Sequence, residues 1–208
     1  MARPPKRGPY RKTKERREAI IKAALEEYAT SDAGGPTLKA IAQRVGITES
    51  ALLYHFGSRE ELFWAIIQAR DEQDRFAADD EPLDAEGFTR LGQLIAHNAE
   101  TPGLVRLFME FAVAAASPTH PAHGYLRDRY DGYTTALAQS LQTAKGVDAD
   151  TAAWLARLLV AAADGLQIQW LLDDRVDMRR DLERLVDHVL AGGDAAAAET
   201  TPAAVEPQ

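Results

Sequence analysis

Apolar residues recur along this 208-residue chain every three to four positions and nowhere alternate over the length of a strand, so the pattern predicts helices and no strand. Ile20, Ala24 and Tyr28, with Ile21 and Leu25 beside them, predict a first helix over 13–29. Leu38, Ile41, Ala42 and Val45 stand at i, i+3, i+4 and i+7 and give a short second helix one apolar face, which Leu52 and Phe56 continue on a third. Leu62, Phe63, Ile66 and Ile67 open a fourth helix that runs to about 78, where Asp79-Asp80-Glu81-Pro82 stops it. Further helical stretches are predicted over 83–99, 102–116, 122–144, 150–172 and 178–191, about nine in all, and the fold class is all-α.

The breaks between these stretches carry as much information as the stretches. Thr37 is placed to cap the second helix, Gly46 supplies the positive φ of a tight turn, Ile47 fills the angle, and Thr48 caps the third helix. Two short helices at a steep angle, the second left exposed, make a helix-turn-helix whose second helix fits a DNA major groove. Ser58 and Glu61 form a capping box at the start of the fourth helix. The stretch 150–172 is different in kind. Leu155, Leu159, Ala162, Leu166 and Trp170 form one apolar line, and Trp154, Leu158, Ala161 and Ile168 form another on a neighbouring face. A helix apolar nearly all round needs cover on more than one side, which implies a partner subunit.

Charge sharpens the division. Of 24 basic and 32 acidic residues, 13 and 8 lie in the first 70 positions, so a head of net +5 and a body of net −13 are hidden in the overall −8. A basic head on an acidic body suits a protein that docks one end on nucleic acid. Residues 1–12 hold three prolines and five basic residues with nothing to bury; they are expected to be a disordered arm whose Arg3, Arg7 and Arg11 add phosphate or minor-groove contacts. The absence of cysteine removes disulfides, Cys-based zinc sites and thiol catalysis. No signal peptide or uncharged membrane span is evident, so a cytoplasmic protein is expected. His97, His120 and His123 lack an acidic residue at matching spacing, and neither a metal nor a cofactor is expected.

The run Ile41-Ala42 … Gly46-Ile47-Thr48 … Leu52-Leu53-Tyr54-His55-Phe56, followed by Gly57-Ser58-Arg59-Glu60-Glu61-Leu62, resembles the DNA-binding domain of TetR-type transcriptional regulators. It departs from the usual pattern with Leu53 where a tyrosine is common, Ser50 where a small residue is common, and Arg59 where lysine is common. The resemblance implies a helix-turn-helix domain over 13–58, a helical effector-binding and dimerisation domain over 59–193, and a disordered tail over 194–208. It also implies a homodimer on palindromic double-stranded operator DNA, in most cases a repressor released when a small molecule shifts the body helices and the helix after Ser58 swings. An activator or an effector-independent regulator is the alternative within the fold. A small all-helical enzyme is the alternative outside it, but the chain has no nucleophile elbow, phosphate-cradling glycine loop or metal set.

On this basis Thr48, Glu49, Ser50 and Tyr54, with Leu53 on the same face, are candidates for base edges and sugars. Thr37, Tyr54, His55, Arg59 and the arm are candidates for phosphates. A pocket for a largely apolar effector is expected among Phe88, Leu91, Ile95, Phe108, Phe111, Tyr130, Tyr133, Trp154, Asp164 and Gln167, although an aromatic stripe also suits a plain core. Asp164 and Gln167 stand three apart in the most apolar helix, where a carboxylate needs a partner: each other, or an arginine such as Arg127 or Arg129. The resemblance places Leu159, Leu166, Trp170, Leu182, Leu185 and Val189 near the dimer interface.

Overall fold

In a computed structural model of the chain, the described residues are 9–32, 34–77, 92 and 94–198, with side chains over 13–32, 34–73, 92 and 94–191. They form α1 (Pro9–Thr30), α2 (Leu38–Val45), α3 (Glu49–Phe56), α4 (Arg59–Ala77), α5 (94–99), α6 (Pro102–Ala115), α7 (His123–Lys145), α8 (Ala149–Leu172) and α9 (Met178–Ala198). The described residues contain no strand. Two ends differ from the sequence pattern. α1 begins at Pro9, four residues before the predicted start at 13, so residues 9–12 of the expected disordered arm are helical; proline is tolerated in the first turn, where its missing N–H would have no partner. α9 continues through Gly192-Gly193 to Ala198, carried by an alanine run of the highest helix propensity.

The chain divides into two compact units, one of residues 1–80 with 98–126 and one of 81–97 with 127–208. The first unit therefore contains α6 as well as α1–α4. Its core is built from Ile20, Ala24 and Tyr28 of α1, Ile41 and Ala42 of α2, Leu52 and Phe56 of α3, and Leu62 and Ile66 of α4, all buried. α6 packs on α1 and α4. At its start Gly103 lies so close to α1 that a Cβ would stand 2.8 Å from the Tyr28 carbonyl oxygen and collide with Ser31 Oγ. Burial of the Tyr28 ring pushes its hydroxyl pKa up to about 12, so it stays protonated.

In the second unit α7, α8 and α9 pack around Leu137, Ala138, Leu141, Ala152, Ala156, Leu159 and Val186. A neighbouring cluster joins Ile95 to Ala163, Met178 and Leu182, with Leu166, Trp170 and Leu185 against it. Asp148 caps α8 by accepting from the backbone N–H groups of Asp150 and Thr151, both at 3.0 Å. Among the described residues α8 is the one helix long and apolar enough to cross a membrane by length and composition. Arg157 and Asp164 interrupt its middle, however, and one side of it belongs to the core just described.

Candidate nucleic-acid interface

The head holds α3 between two capped turns. Thr37 Oγ1 accepts from the Ala40 N–H at 3.1 Å and Thr48 Oγ1 from the Ala51 N–H at 3.1 Å. Each hydroxyl keeps its own proton free to donate outward. α2 ends in a left-handed glycine, Gly46 at φ 74°, and the N–H of Ile47 closes back on the Ala42 carbonyl at 3.0 Å. The next helix, α4, starts from the Ser58 cap, whose Oγ accepts from the Glu61 N–H at 3.0 Å. Arg44, at the end of α2, reaches Glu26 and Glu27 of α1 at 3.0 and 2.6 Å and ties the two helices across the surface.

What α3 presents outward follows from this frame. Leu52 and Phe56 face the core, while Glu49, Ser50 and Tyr54 are exposed, Tyr54 to 86%. Leu53 and His55 are half-buried at the edges of that face. The Tyr54 and His55 rings meet edge-on with centroids 6.1 Å apart, and a shallow groove of about 490 Å³ beside His55 is lined by Thr13, Glu15, Arg16 and Ala19 of α1. Arg59, exposed, lies over the Phe63 ring at 4.8 Å. An exposed helix with hydroxyls at its start and an exposed tyrosine towards its far end has the form of a helix that enters a groove of DNA.

In the second unit, a groove of about 630 Å³ runs between α7 and α8. Its α7 wall is mostly polar, with Tyr130, Asp131, Thr134, Thr135, Gln139 and Gln142 beside Ala138, and its α8 wall sets Arg157 among the small and apolar Ala149, Ala153, Val160 and Ala161. Asp164 closes one end, its Oδ2 accepting from the Tyr130 hydroxyl at 2.8 Å. Burial raises the Asp164 carboxyl above the ordinary carboxylate value, offset in part by that hydrogen bond and by Arg129. Burial and the neighbouring carboxylate also raise the Tyr130 hydroxyl, which therefore remains the donor of the pair.

Residues 20–66 match the family model described as bacterial regulatory proteins, tetR family. The transcriptional regulator TtgR of Pseudomonas putida is 28% identical over 197 residues, covering 85% of this chain and 92% of its own. The structure also superposes on a TetR-family regulator from Streptomyces coelicolor with a TM-score of 0.62 at 21% identity, over 90% of this chain and 84% of that one. The head of this chain, residues 20–66, is that of the tetR family of bacterial regulatory proteins. NalD, the secondary repressor of the MexAB-OprM multidrug efflux pump in Pseudomonas aeruginosa, shares the fold with a TM-score of 0.56 at 19% identity, over 88% of this chain and 96% of that one. The relatives are transcriptional regulators and not enzymes, and this chain is a transcriptional regulator with a helix-turn-helix DNA-binding head.

Within this tetR-type head the structure brings Thr48, Glu49, Ser50, Leu53, Tyr54 and His55 together on α3, with Thr37 and Arg59 at the starts of α2 and α4. Arg3 and Arg7 lie outside the described residues, as does the side chain of Arg11. The expected effector residues are not gathered in one place. Phe108 and Phe111 are buried in the first unit, Phe111 edge-on to His120 at 5.2 Å, whereas Tyr130, Tyr133, Trp154, Asp164 and Gln167 belong to the second. Tyr130 and Asp164 meet; Gln167 is buried and turns back on its own helix, its amide 3.4 Å from the Ala163 carbonyl oxygen. Ile95 is core, and Phe88 and Leu91 fall outside the described residues. Asp164 finds its hydrogen-bond partner in a tyrosine one helix away rather than in Gln167 or Arg127, a pairing with no local sequence signal, while the charge of Arg129 acts on it as expected.

The residues expected at a dimer interface divide in the same way. Leu159 and Leu182 are each 1% exposed and serve the unit's own core, and Leu166, Trp170, Leu185 and Val189 pack half-buried against it. The apolar face left open is the other line on α8: Trp154, Leu158, Ile168 and Leu172 are exposed to 55, 47, 48 and 83%, with Ala161 and Gly165 between them. The reason is rotational. Residues 152, 156, 159, 163 and 167 point to the side that α7 and α9 cover, and the exposed line lies diametrically opposite.

Proposed function

We propose that this regulator is a dimeric repressor that binds a palindromic operator through two copies of α3 and leaves it when a small molecule occupies its body. The observation that carries the dimer is the open line on α8. Its members Trp154, Leu158, Ala161, Gly165, Ile168 and Leu172 follow one another at intervals of four and three, the spacing of a coiled-coil seam. Turned end for end about position 163, the line meets itself: Trp154 opposite Leu172, Leu158 opposite Ile168, Ala161 opposite Gly165. Large residues then face large ones and small face small, the self-complementarity that a two-fold interface requires.

A two-fold dimer offers two recognition helices to successive major grooves, which suits a palindromic site. Thr48, Ser50 and Tyr54 would read base edges and sugars, and Thr37, His55 and Arg59 would hold phosphates. Repression is also the role that NalD's name records. For the effector, the groove between α7 and α8 offers a polar wall facing one that is apolar except for Arg157 and Asp164, with the Tyr130–Asp164 pair as a directional handle, which supports a largely apolar ligand with a polar group. Release then requires that the effector bind the DNA-incompetent state more tightly, and DNA must weaken effector binding by the same factor. Such a regulator would work in the cytoplasm.

The test is a mobility shift on DNA flanking the regulator's own gene. Specific, salt-sensitive binding by the wild type and its loss in Tyr54→Ala, with dimerisation intact, are the expected results. At 86% exposure Tyr54 has almost nothing to contribute to folding, so the loss would reflect about 1–3 kcal/mol of missing contact. Failure of the wild type to bind any of that DNA specifically would remove the proposal.

A further inference from the structure

We infer that Arg17, on α1, is a positioning residue for operator binding: it fixes the last turn of α3, and so the attitude of Tyr54 and His55, without itself contacting DNA. The inference rests on α3 being the DNA-reading helix. α3 has eight residues, too few to hold its own shape or direction in water, so its orientation is imposed by its neighbours. Its start is fixed by the Thr48 cap. At its end the Gly57 N–H closes on the Leu53 carbonyl, the later carbonyls lack helical partners, and Gly57 turns the chain away at φ 87°.

Arg17 supplies what that end lacks. Its Nη1 donates to the His55 carbonyl oxygen, and the flat of its guanidinium lies over the Phe56 ring, 4.2 Å from the centroid. One planar group thus grips two successive residues of α3, its edge on the backbone of one and its face on the buried ring of the other. A cation at a helix C-terminus also opposes the negative end of the helix dipole. The gripped residues include His55, and Tyr54 is the ring in contact with His55. Arg17 is itself half-buried, whereas its neighbour Arg16 is exposed in the groove beside His55 and is the one free to meet a phosphate. Lysine cannot replace this grip, because an ammonium has no flat face and no fork of donors.

The rival role for a basic residue in this head is a phosphate contact, and the two make opposite predictions. An operator is selected from a random DNA pool with the full-length wild type, and its dissociation constant is measured across a range of salt for the wild type, Arg17→Lys, Arg17→Gln, Phe56→Leu and the Arg17→Gln/Phe56→Leu double variant. If Arg17 positions α3, Lys and Gln both weaken operator binding tenfold or more and narrow the gap between operator and random DNA. The slope of log affinity against log salt stays at the wild-type value. Phe56→Leu, which keeps an apolar side chain in the core and the carbonyl contact available, acts in the same direction, and the double variant is no worse than the poorer single one, because both remove one grip. Rescue by Arg17→Lys, or a slope about one unit shallower in Arg17→Gln, would make Arg17 a phosphate contact and overturn the inference. Additive losses would overturn it as well. Circular dichroism fixes a temperature at which each variant is folded; should the Arg17 variants not fold, wild-type affinity in Phe56→Leu is by itself enough to reject it. A wild type that selects no DNA fails the proposed function instead, a distinct result.

Discussion

Leu158 and Leu159 are neighbours in sequence and belong to opposite sides of α8, which makes the pair a direct test of the proposed dimer. Leu158 is 47% exposed in the protomer, so about half of its hydrophobic contribution is still to be gained. Full burial of a leucine side chain contributes about 1.5–3 kcal/mol, so covering the remaining half contributes about 0.7–1.4 kcal/mol. A two-fold interface contains the residue twice, which makes Leu158→Ala cost about 1.4–2.8 kcal/mol of association and weaken the dimer about ten- to a hundredfold. Leu159, 1% exposed among Leu137, Leu141, Ala152 and Val186, contributes inside the protomer. Its replacement by alanine should cost about 2–5 kcal/mol of folding stability through the lost contacts and the cavity left behind. Sedimentation equilibrium over a dilution series gives the dimer constant, and urea denaturation at fixed protein concentration gives stability. A Leu158→Ala protein that dimerises within threefold of wild type would refute the assignment of this face, as would a Leu159→Ala protein of unchanged stability.

Three further outcomes follow from single positions. A Cβ at Gly165 would meet nothing within 4 Å in the protomer, so Gly165→Leu should leave protomer folding intact while overpacking the seam at its narrowest point, with a loss of dimer of about 1–3 kcal/mol per contact, read by the same sedimentation series. Gly46 also has open space around it, but at φ 74° an alanine there is strained by its own backbone; Gly46→Ala should lower stability by about 1–2 kcal/mol in thermal melts, and Gly46→Asn by less. Because burial raises the folded pKa of Asp164 above its ordinary 3.8, the folded state binds more protons between that value and the raised one, so stability falls as pH climbs through this window and the penalty is complete above it. Asp164→Asn should therefore melt no lower than wild type at pH 7, with the difference closing in acid; a clear drop at pH 7 would mean that the charged form is favourably paired.

The head was legible in the sequence because its determinants are local. Thr37, Gly46, Thr48 and Ser58 act on backbone groups within five residues of themselves, and the apolar register of Leu38 to Phe56 faces one small core. The body was legible only as helices. Two apolar lines on α8 were visible, but which one the protomer keeps depends on where α7 and α9 lie, and no periodicity within α8 contains that information. Tyr130 and Asp164 are 34 positions apart, and Phe108 and Phe111 of α6 fall in a different unit from Tyr130, Tyr133 and Trp154. Arg17 was hidden for the opposite reason: it sits in a strongly charged stretch where an arginine looks like any solvated side chain, and only its contacts across to α3 distinguish it.

The close seating of Gly103 against the end of α1 bears on how such regulators can be recombined. A chimera that grafts only residues 1–80 onto a foreign body would part α1 and the turn after it from the helix seated against the backbone at Tyr28 and Asp32 and would strip α6 from the flanks of α1 and α4. A transplant that keeps residues 98–126 with the head carries the whole packed unit, and at position 103 the incoming helix tolerates no side chain at all, so the junction is chosen by a missing methyl group.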